Sequence, residues 1–470
     1  MSTFENNGRF QKYTYTITGS PTSEPVKERN GDEPWSKRLR IIQKDEPDPM
    51  IEVEMETDIE VEMETDIEAE PDQYDQEYQK YIKSLSMSEQ MALKAVECEI
   101  DQYMRENIKP LKYQILTSSA PMPVKLQMMD KLKKLSVYEK SSGDYGYEWA
   151  TLQQLLKIPW GKTVRLPISK NDGPQRIHSY LAEAKNFLDS VTYGQHNAKS
   201  KLLLEISRFL ENPDGGGFIL GIKGPPGSGK TTLISKGLSR ILNRPFSRID
   251  LGGAKHSDCL FGSRKVFDRS DVGDLVKIVC EAGCMNPVIF FDELDKISIS
   301  EYGHELVNAL NDLTDLTRNC SIVDQYLGVP IDLSKAVIVF AYNSSDCIQE
   351  TLRSRIHEIE VEAYTDYDKY LMSQSFLIPK ACQKINMDLN TVKFTEEGIY
   401  EIIRHHTRGE EGVRELERKL EEIILKLNWI RLTYTSEETD PNLCQYHFHS
   451  EIKASFPCSI TKKLVTQILK

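Results

Sequence analysis

The chain has 470 residues, 39% of them hydrophobic, enough for two or three domains that each bury a core. Its formal net charge is -13, but Asp45 to Asp75 holds fifteen acidic residues and no Lys or Arg, which leaves about +2 elsewhere and gives a DNA-binding surface no support. Nine scattered cysteines without a CxxC pair suit a reducing compartment, the N-terminus is too polar for a secretory signal, and no apolar run nears the roughly 20 residues of a membrane helix.

The expectation is therefore a soluble intracellular protein, cytoplasmic, with Lys37-Arg38-Leu39-Arg40 fitting a nuclear signal as well as solvated chain. Residues 1–75 read as a disordered acidic tail. They include IEVEMETD at 51–58, repeated at 59–66, whose like charges at every second position oppose strand pairing. Such a tail is either solvated linker or a docking arm for a basic partner.

Residues 76–165 read as a helical N-terminal region. Tyr81, Leu85, Met91, Val96, Ile100 and Met104 recur at helical spacing, Ser141 to Gly146 breaks the pattern, and a short helix from Trp149 ends at Ile158-Pro159-Trp160. Two further helices over 176–210 break near Tyr193-Gly194. Within 166–361 the texture turns to short apolar strands alternating with helices: Phe218 to Ile222, a helix over 232–242, Val288 to Phe291, and Ala336 to Ala341. That pattern predicts an α/β domain, a parallel sheet with helices on both faces. Amphipathic helices over 362–432 predict a small all-α lid, and 433–470 a polar appendage without predicted structure.

Strand, then Gly224-Pro225-Pro226-Gly227-Ser228-Gly229-Lys230-Thr231, then a helix opening with Thr232, is the context that a phosphate-binding P-loop requires. Glycines let amides converge on phosphate oxygens, and the helix start adds its positive end. Lys230 is placed to reach the β- and γ-phosphates of ATP and Thr231 to ligate Mg²⁺. Downstream, Val288-Ile289-Phe290-Phe291 delivers Asp292 and Glu293 to the carboxyl edge of the sheet, Asp292 for Mg²⁺ and Glu293 as general base toward water. His304-Glu305 lacks a second histidine four residues on, where Asn308 stands, so a zinc-protease helix is excluded. Cys444, His447 and His449 lack the paired spacing of a structural zinc site.

From Met122 to Leu432 the chain resembles the ATPase part of Lon-type AAA+ proteases. The resemblance rests on Ile158-Pro159-Trp160, LDSVTYG at 188–194, Leu251-Gly252-Gly253, Asn286-Pro287 leading into DELDK, and Asp324-Gln325-Tyr326-Leu327. It extends through Asp332 to Lys335, Tyr364-Thr365, Leu377-Ile378-Pro379-Lys380, and Thr407-Arg408 with EGVRELE at 411–417. It implies a P-loop AAA+ fold and these roles: Asn343 as sensor 1 orienting the nucleophilic water, Arg355 as an arginine finger acting on a neighbouring subunit, and Arg414 as sensor 2. Tyr193 and Gly194 would border the adenine. A homo-hexameric ring acting on unfolded or tagged protein is the implied assembly.

Two departures qualify the resemblance. In Arg264-Lys265-Val266-Phe267-Asp268-Arg269 the substrate-gripping aromatic of the pore survives as Phe267, but its neighbours are charged, and desolvating them costs free energy. Only about forty residues follow the lid, so the expectation is an ATPase without its own peptidase site, working alone or beside a separate peptidase. An ATP-dependent protease, a nucleotide-gated scaffold and a DNA-acting ATPase are the competing readings.

Overall fold

The computed structural model describes residues 73–107, 109–252, 257–264, 270–298, 300–433 and 456–469. The acidic repeat, Phe267 and the Cys444, His447, His449 group lie outside these residues. The chain divides into two compact units between Met104 and Arg105. In the first, the helix Gln73–Ser84 is followed by the helix Met87–Asn107, and the Tyr78 hydroxyl donates to Glu97 at 2.6 Å. Ser86 begins the second helix by donating its amide to Glu89 at 3.0 Å.

The second unit starts with helices Leu111–Thr117, Met122–Leu135 and Gly143–Lys157. Their buried Ile115, Val124, Met128, Leu152 and Leu155 join the hydrophobic cluster on one face of the main sheet. So part of the helical N-terminal region expected over 76–165 shares its core with the α/β domain. The third helix stops at Ile158 because Pro159 drives its predecessor to extended backbone, φ -63° and ψ 128°. Trp160 then folds back to donate its indole N–H to the Leu155 carbonyl at 2.9 Å.

Among the described residues nine strands follow: β1 Ile219–Lys223, β2 Phe246–Asp250, β3 Val288–Asp292, β4 Ile322–Asp324, β5 Val329–Ile331, β6 Val337–Tyr342, β7 His357–Glu360, β8 Val392–Phe394 and β9 Cys458–Ile460. Five of them form a parallel sheet in the order β2-β3-β6-β1-β7. Alternation sends Ile289, Phe291, Ile338 and Phe340 to one face, and Val288, Phe290, Val337 and Val339 to the other. Both faces are covered by helices, which is why β3 and β6 are near-continuous apolar runs. The expected parallel sheet is thus present, with two more strands than the apolar runs marked. β2 and β7 are edge strands, and their polar alternation (FSRID and HEIE) hides them from a search for buried strands.

The lid packs helices Asp366–Met372, Ile378–Lys384, Glu396–Glu401 and Arg414–Thr433 around Leu416, Leu420, Ile423 and Leu427. Expected to be all helical, it also carries one parallel pairing, β8 with β9, in the register Val392 to Cys458 and Phe394 to Ile460. The residues 456–469 therefore belong to the lid rather than to a structureless appendage: Cys458, Ile460, Val465 and Ile468 are buried in its core. Ile460 has no exposed surface. Ile460→Ala should lower lid stability by roughly 2–5 kcal/mol, read as an earlier urea transition of Trp429 fluorescence. Ser459→Ala, on the exposed face of the same strand, should leave the midpoint unchanged.

Candidate active site

Between β1 and the helical run Lys230–Thr232, Leu233–Leu238 and Ser239–Ile241, the loop 224–229 turns back on itself at Gly227 (φ 76°) and Gly229 (φ 88°). Only glycine takes this backbone without strain. The backbone amides of Gly227, Gly229, Lys230 and Thr231 make no hydrogen bond within the described residues, and the loop together with the helix start is where an anion is bound. The Lys230 ammonium lies over this loop, donating to the carbonyls of Gly224 at 2.6 Å and Pro225 at 3.0 Å and to Asn343 Oδ1 at 2.9 Å. Burial lowers its pKa, and the carboxylates of Asp292 and Asp295 oppose that shift.

β3 and β6 bring the other polar groups to the same carboxyl edge. Asp292 Oδ1 accepts the Glu293 amide at 3.0 Å, while Oδ2 pairs with the Arg248 guanidinium at 2.9 Å. Glu293 itself takes left-handed backbone, φ 59° and ψ 42°, which re-aims its side chain as the strand ends. Asp295 accepts the amides of Asn343 at 2.9 Å and Ser344 at 3.3 Å, so the end of β6 is pinned to the turn after β3.

The lid closes against the loop from the opposite side. The Val413 amide donates to the Gly227 carbonyl at 3.2 Å, and a Cβ on Gly412 would stand 2.1 Å from the Pro226 carbonyl, so a larger residue there would lift the lid. Glu410 accepts the Arg414 amide at 3.2 Å and the Glu415 amide at 2.6 Å, capping the helix that Arg414 begins. Arg414 thus starts beside Gly227, with its Cβ 3.1 Å from where a Gly227 Cβ would be.

Next to the loop lies a cleft of about 630 Å³ lined by Tyr193, Gly194, His196, Glu362, Tyr364 and Asp368. Gln195 and Glu362 exchange two hydrogen bonds of 2.9 Å across it. The Tyr364 hydroxyl donates to the Ser228 carbonyl at 3.1 Å, tying the cleft to the phosphate loop. The Thr192 hydroxyl, one residue before Tyr193 of this cleft, is buried with no protein partner.

Of the residues singled out in the sequence, Gly224 to Thr232, Asp292, Glu293, Asn343, Arg414, Tyr193 and Gly194 surround one site. Arg355 does not join it. Its guanidinium bonds to the Asn311 carbonyl and pairs with Asp315 at 3.2 Å, at the end of the helix Glu301–Thr314. The structure adds Arg248, Asp295, Lys296, Tyr364 and Glu410, which the sequence reading did not assign. Asp295 and Lys296 stand in the same DELDK run as the two acids, so their proximity was readable, whereas Arg248 depends on the register that sets Asp250 beside Asp292.

The Thr231 hydroxyl makes no described hydrogen bond, and with the Asp292 carboxylate it supplies two hard oxygen donors suited to Mg²⁺. Among the described residues no cluster of three or more His, Cys, Asp or Glu could hold a metal by protein alone. A cation here would take its other ligands from phosphate and water, the usual habit of Mg²⁺.

Residues 220–364 match the ATPase family associated with various cellular activities (AAA), and residues 383–435 the Lon protease AAA+ ATPase lid domain. A Lon protease homolog of Acanthamoeba polyphaga mimivirus is 32% identical over 324 residues, covering 67% of this chain and 31% of the relative. The Lon protease of Clostridioides difficile (strain 630) is 32% identical over 337 residues, 71% of this chain and 39% of the relative. A mitochondrial Lon protease homolog of Saccharomyces cerevisiae is 32% identical over 329 residues, 70% of this chain and 27% of the relative. The matched part spans between about a quarter and two fifths of these relatives' length. No helix among the described residues is long and apolar enough to cross a membrane.

Proposed function

The chain belongs to the Lon-type AAA+ family, and from that premise we propose that it is a ring-forming motor which hydrolyses ATP to unfold or remodel protein substrates. The observation that carries this reading is the convergence of the phosphate loop, the Lys230 to Asn343 hydrogen bond, the Asp292-Glu293 pair and the lid at Arg414 on one edge of the sheet.

In this reading the free amides of the loop and the Lys230 ammonium hold the β- and γ-phosphates. The cleft at Tyr193 and Tyr364 takes the base. Asn343 orients the attacking water, and Glu293 accepts its proton as attack begins. Thr231 and Asp292 would hold Mg²⁺, which when bound neutralises charge on the phosphate oxygens. Arg414 reports the γ-phosphate to the lid, so that nucleotide state becomes lid position, and Arg355 serves the neighbouring subunit's site in a homo-hexamer. Phe267 would grip the polypeptide in the central pore.

A second reading keeps the same motor and couples it to proteolysis, the activity in the relatives' names, whether through a separate peptidase or otherwise. One purified preparation tests both. ATP turnover should rise more steeply than protein concentration as rings assemble, and Glu293→Gln should lower it by roughly 10²–10⁴-fold while ATP still binds. A fluorescent domain bearing an unstructured tail should lose fluorescence only with ATP, and its fragmentation on a gel would favour the proteolytic reading. Binding of ATP without turnover would replace the motor with a nucleotide-gated scaffold.

A further inference from the structure

The carboxylate of Glu293 is occupied away from the phosphate loop. Its side chain forms an ion pair with Lys296, three residues on in the 3₁₀ turn Leu294–Lys296. Its Oε2 rests over the backbone just past the end of β2, 2.3 Å from where a Cβ on Gly252 would be. No described hydrogen bond runs from this carboxylate to Lys230 or Asn343, the pair that marks the phosphate side. The Glu293 hydrogen bond above all, against a smaller opposing effect of burial and with Asp295 and Asp250 adding to it, favours the charged Lys296 ammonium. Gly252 is fixed in turn by its amide's bond to Asp250 Oδ1 at 3.1 Å.

We propose that Lys296 is a positioning residue which latches Glu293 against the end of β2 between turnovers, so that hydrolysis must first break this ion pair. The proposal rests on Glu293 being the general base of the reading above. Both partners are partly exposed, Lys296 by 53% and Glu293 by 35%. A pair of that kind restrains by no more than about fivefold and is weakened by salt. The latch is therefore a throttle on the basal rate: it lowers the fraction of sites in which the base is free without altering how nucleotide is bound.

The experiment measures ATP turnover of the full chain at saturating protein concentration, at low and high salt, for the native protein, Lys296→Gln, Lys296→Arg and Glu293→Gln. Lys296→Gln should raise kcat by about two- to fivefold with KM for ATP unchanged. Salt should raise the native rate and leave the Lys296→Gln rate flat. Lys296→Arg, which keeps the charge, should stay within about twofold of the native rate. Since Lys296 is exposed, melting curves should coincide, which separates the latch from a structural role. A Lys296→Gln kcat equal to or below the native one overturns the latch if Glu293→Gln is inactive. If Glu293→Gln turns over ATP at the native rate, the base assignment falls and the latch with it.

Discussion

Replacing Lys230 with alanine is expected to lower kcat/KM for ATP by roughly 10³-fold, about 4 kcal/mol of transition-state stabilisation. The size follows from where the ammonium sits. It is half-buried above the phosphate loop, held by two loop carbonyls and Asn343, so its charge acts through little water and is already oriented. Removing it takes away the cation that the carboxylates of Asp292 and Asp295 face, so their charge is less well balanced beside the phosphate loop. The loss should appear in KM as well as kcat, because the β-phosphate contact exists before reaction and the γ-phosphate contact strengthens during it.

Lys230→Arg should not rescue this loss. A guanidinium is planar and forked, and the carbonyls of Gly224 and Pro225 converge on a compact ammonium. Lys230 belongs to none of the three hydrophobic clusters, so both variants should fold, which urea titration checks. Steady-state kinetics decide the matter: a Lys230→Ala enzyme that keeps a tenth of native kcat/KM removes Lys230 from the reaction.

The residues that were readable and those that were not differ for a physical reason. β3 and β6 are buried on both faces, so Val288 to Phe291 and Val337 to Ala341 are unbroken apolar runs and the strands declare themselves. The phosphate loop is equally explicit, because amides must converge there and glycine permits it. Arg248 looks like a polar residue on an edge strand until the sheet's register puts its guanidinium on Asp292. The Glu293 to Lys296 contact follows the left-handed turn at Glu293, which a linear pattern does not encode. β9 contributes three residues, only two of them buried, and its first residue, Cys458, lies 64 positions after Phe394, the last of β8 (458 − 394). Its partner is fixed by the lid core rather than by local propensity.

Arg355 is the residue for which chain position and site position part company. It stands at the end of Glu301–Thr314, where helix carbonyls favour a cation, paired with Asp315 and bonded to the Asn311 carbonyl. Its side chain is 36% exposed and has no described bond to Lys230, Asp292, Glu293 or Asn343. An arginine aimed away from its own site contributes to hydrolysis only if a neighbour presents a site to it, as in a head-to-tail ring. Arg355→Ala should then lower kcat by roughly 10³-fold or more while ATP affinity stays within a few fold. The exposed pair with Asp315 is worth under about 1 kcal/mol, so unfolding cannot account for such a loss. Mixing supplies the decisive measurement. Rings assembled from equal amounts of Arg355→Ala and Glu293→Gln chains unite, at about a quarter of their sites, an intact base with a neighbour's intact arginine. Turnover should reappear at about that fraction of the native rate, although each variant alone is inactive. A mixture no more active than its separate components would confine Arg355 to its own subunit and remove the shared site.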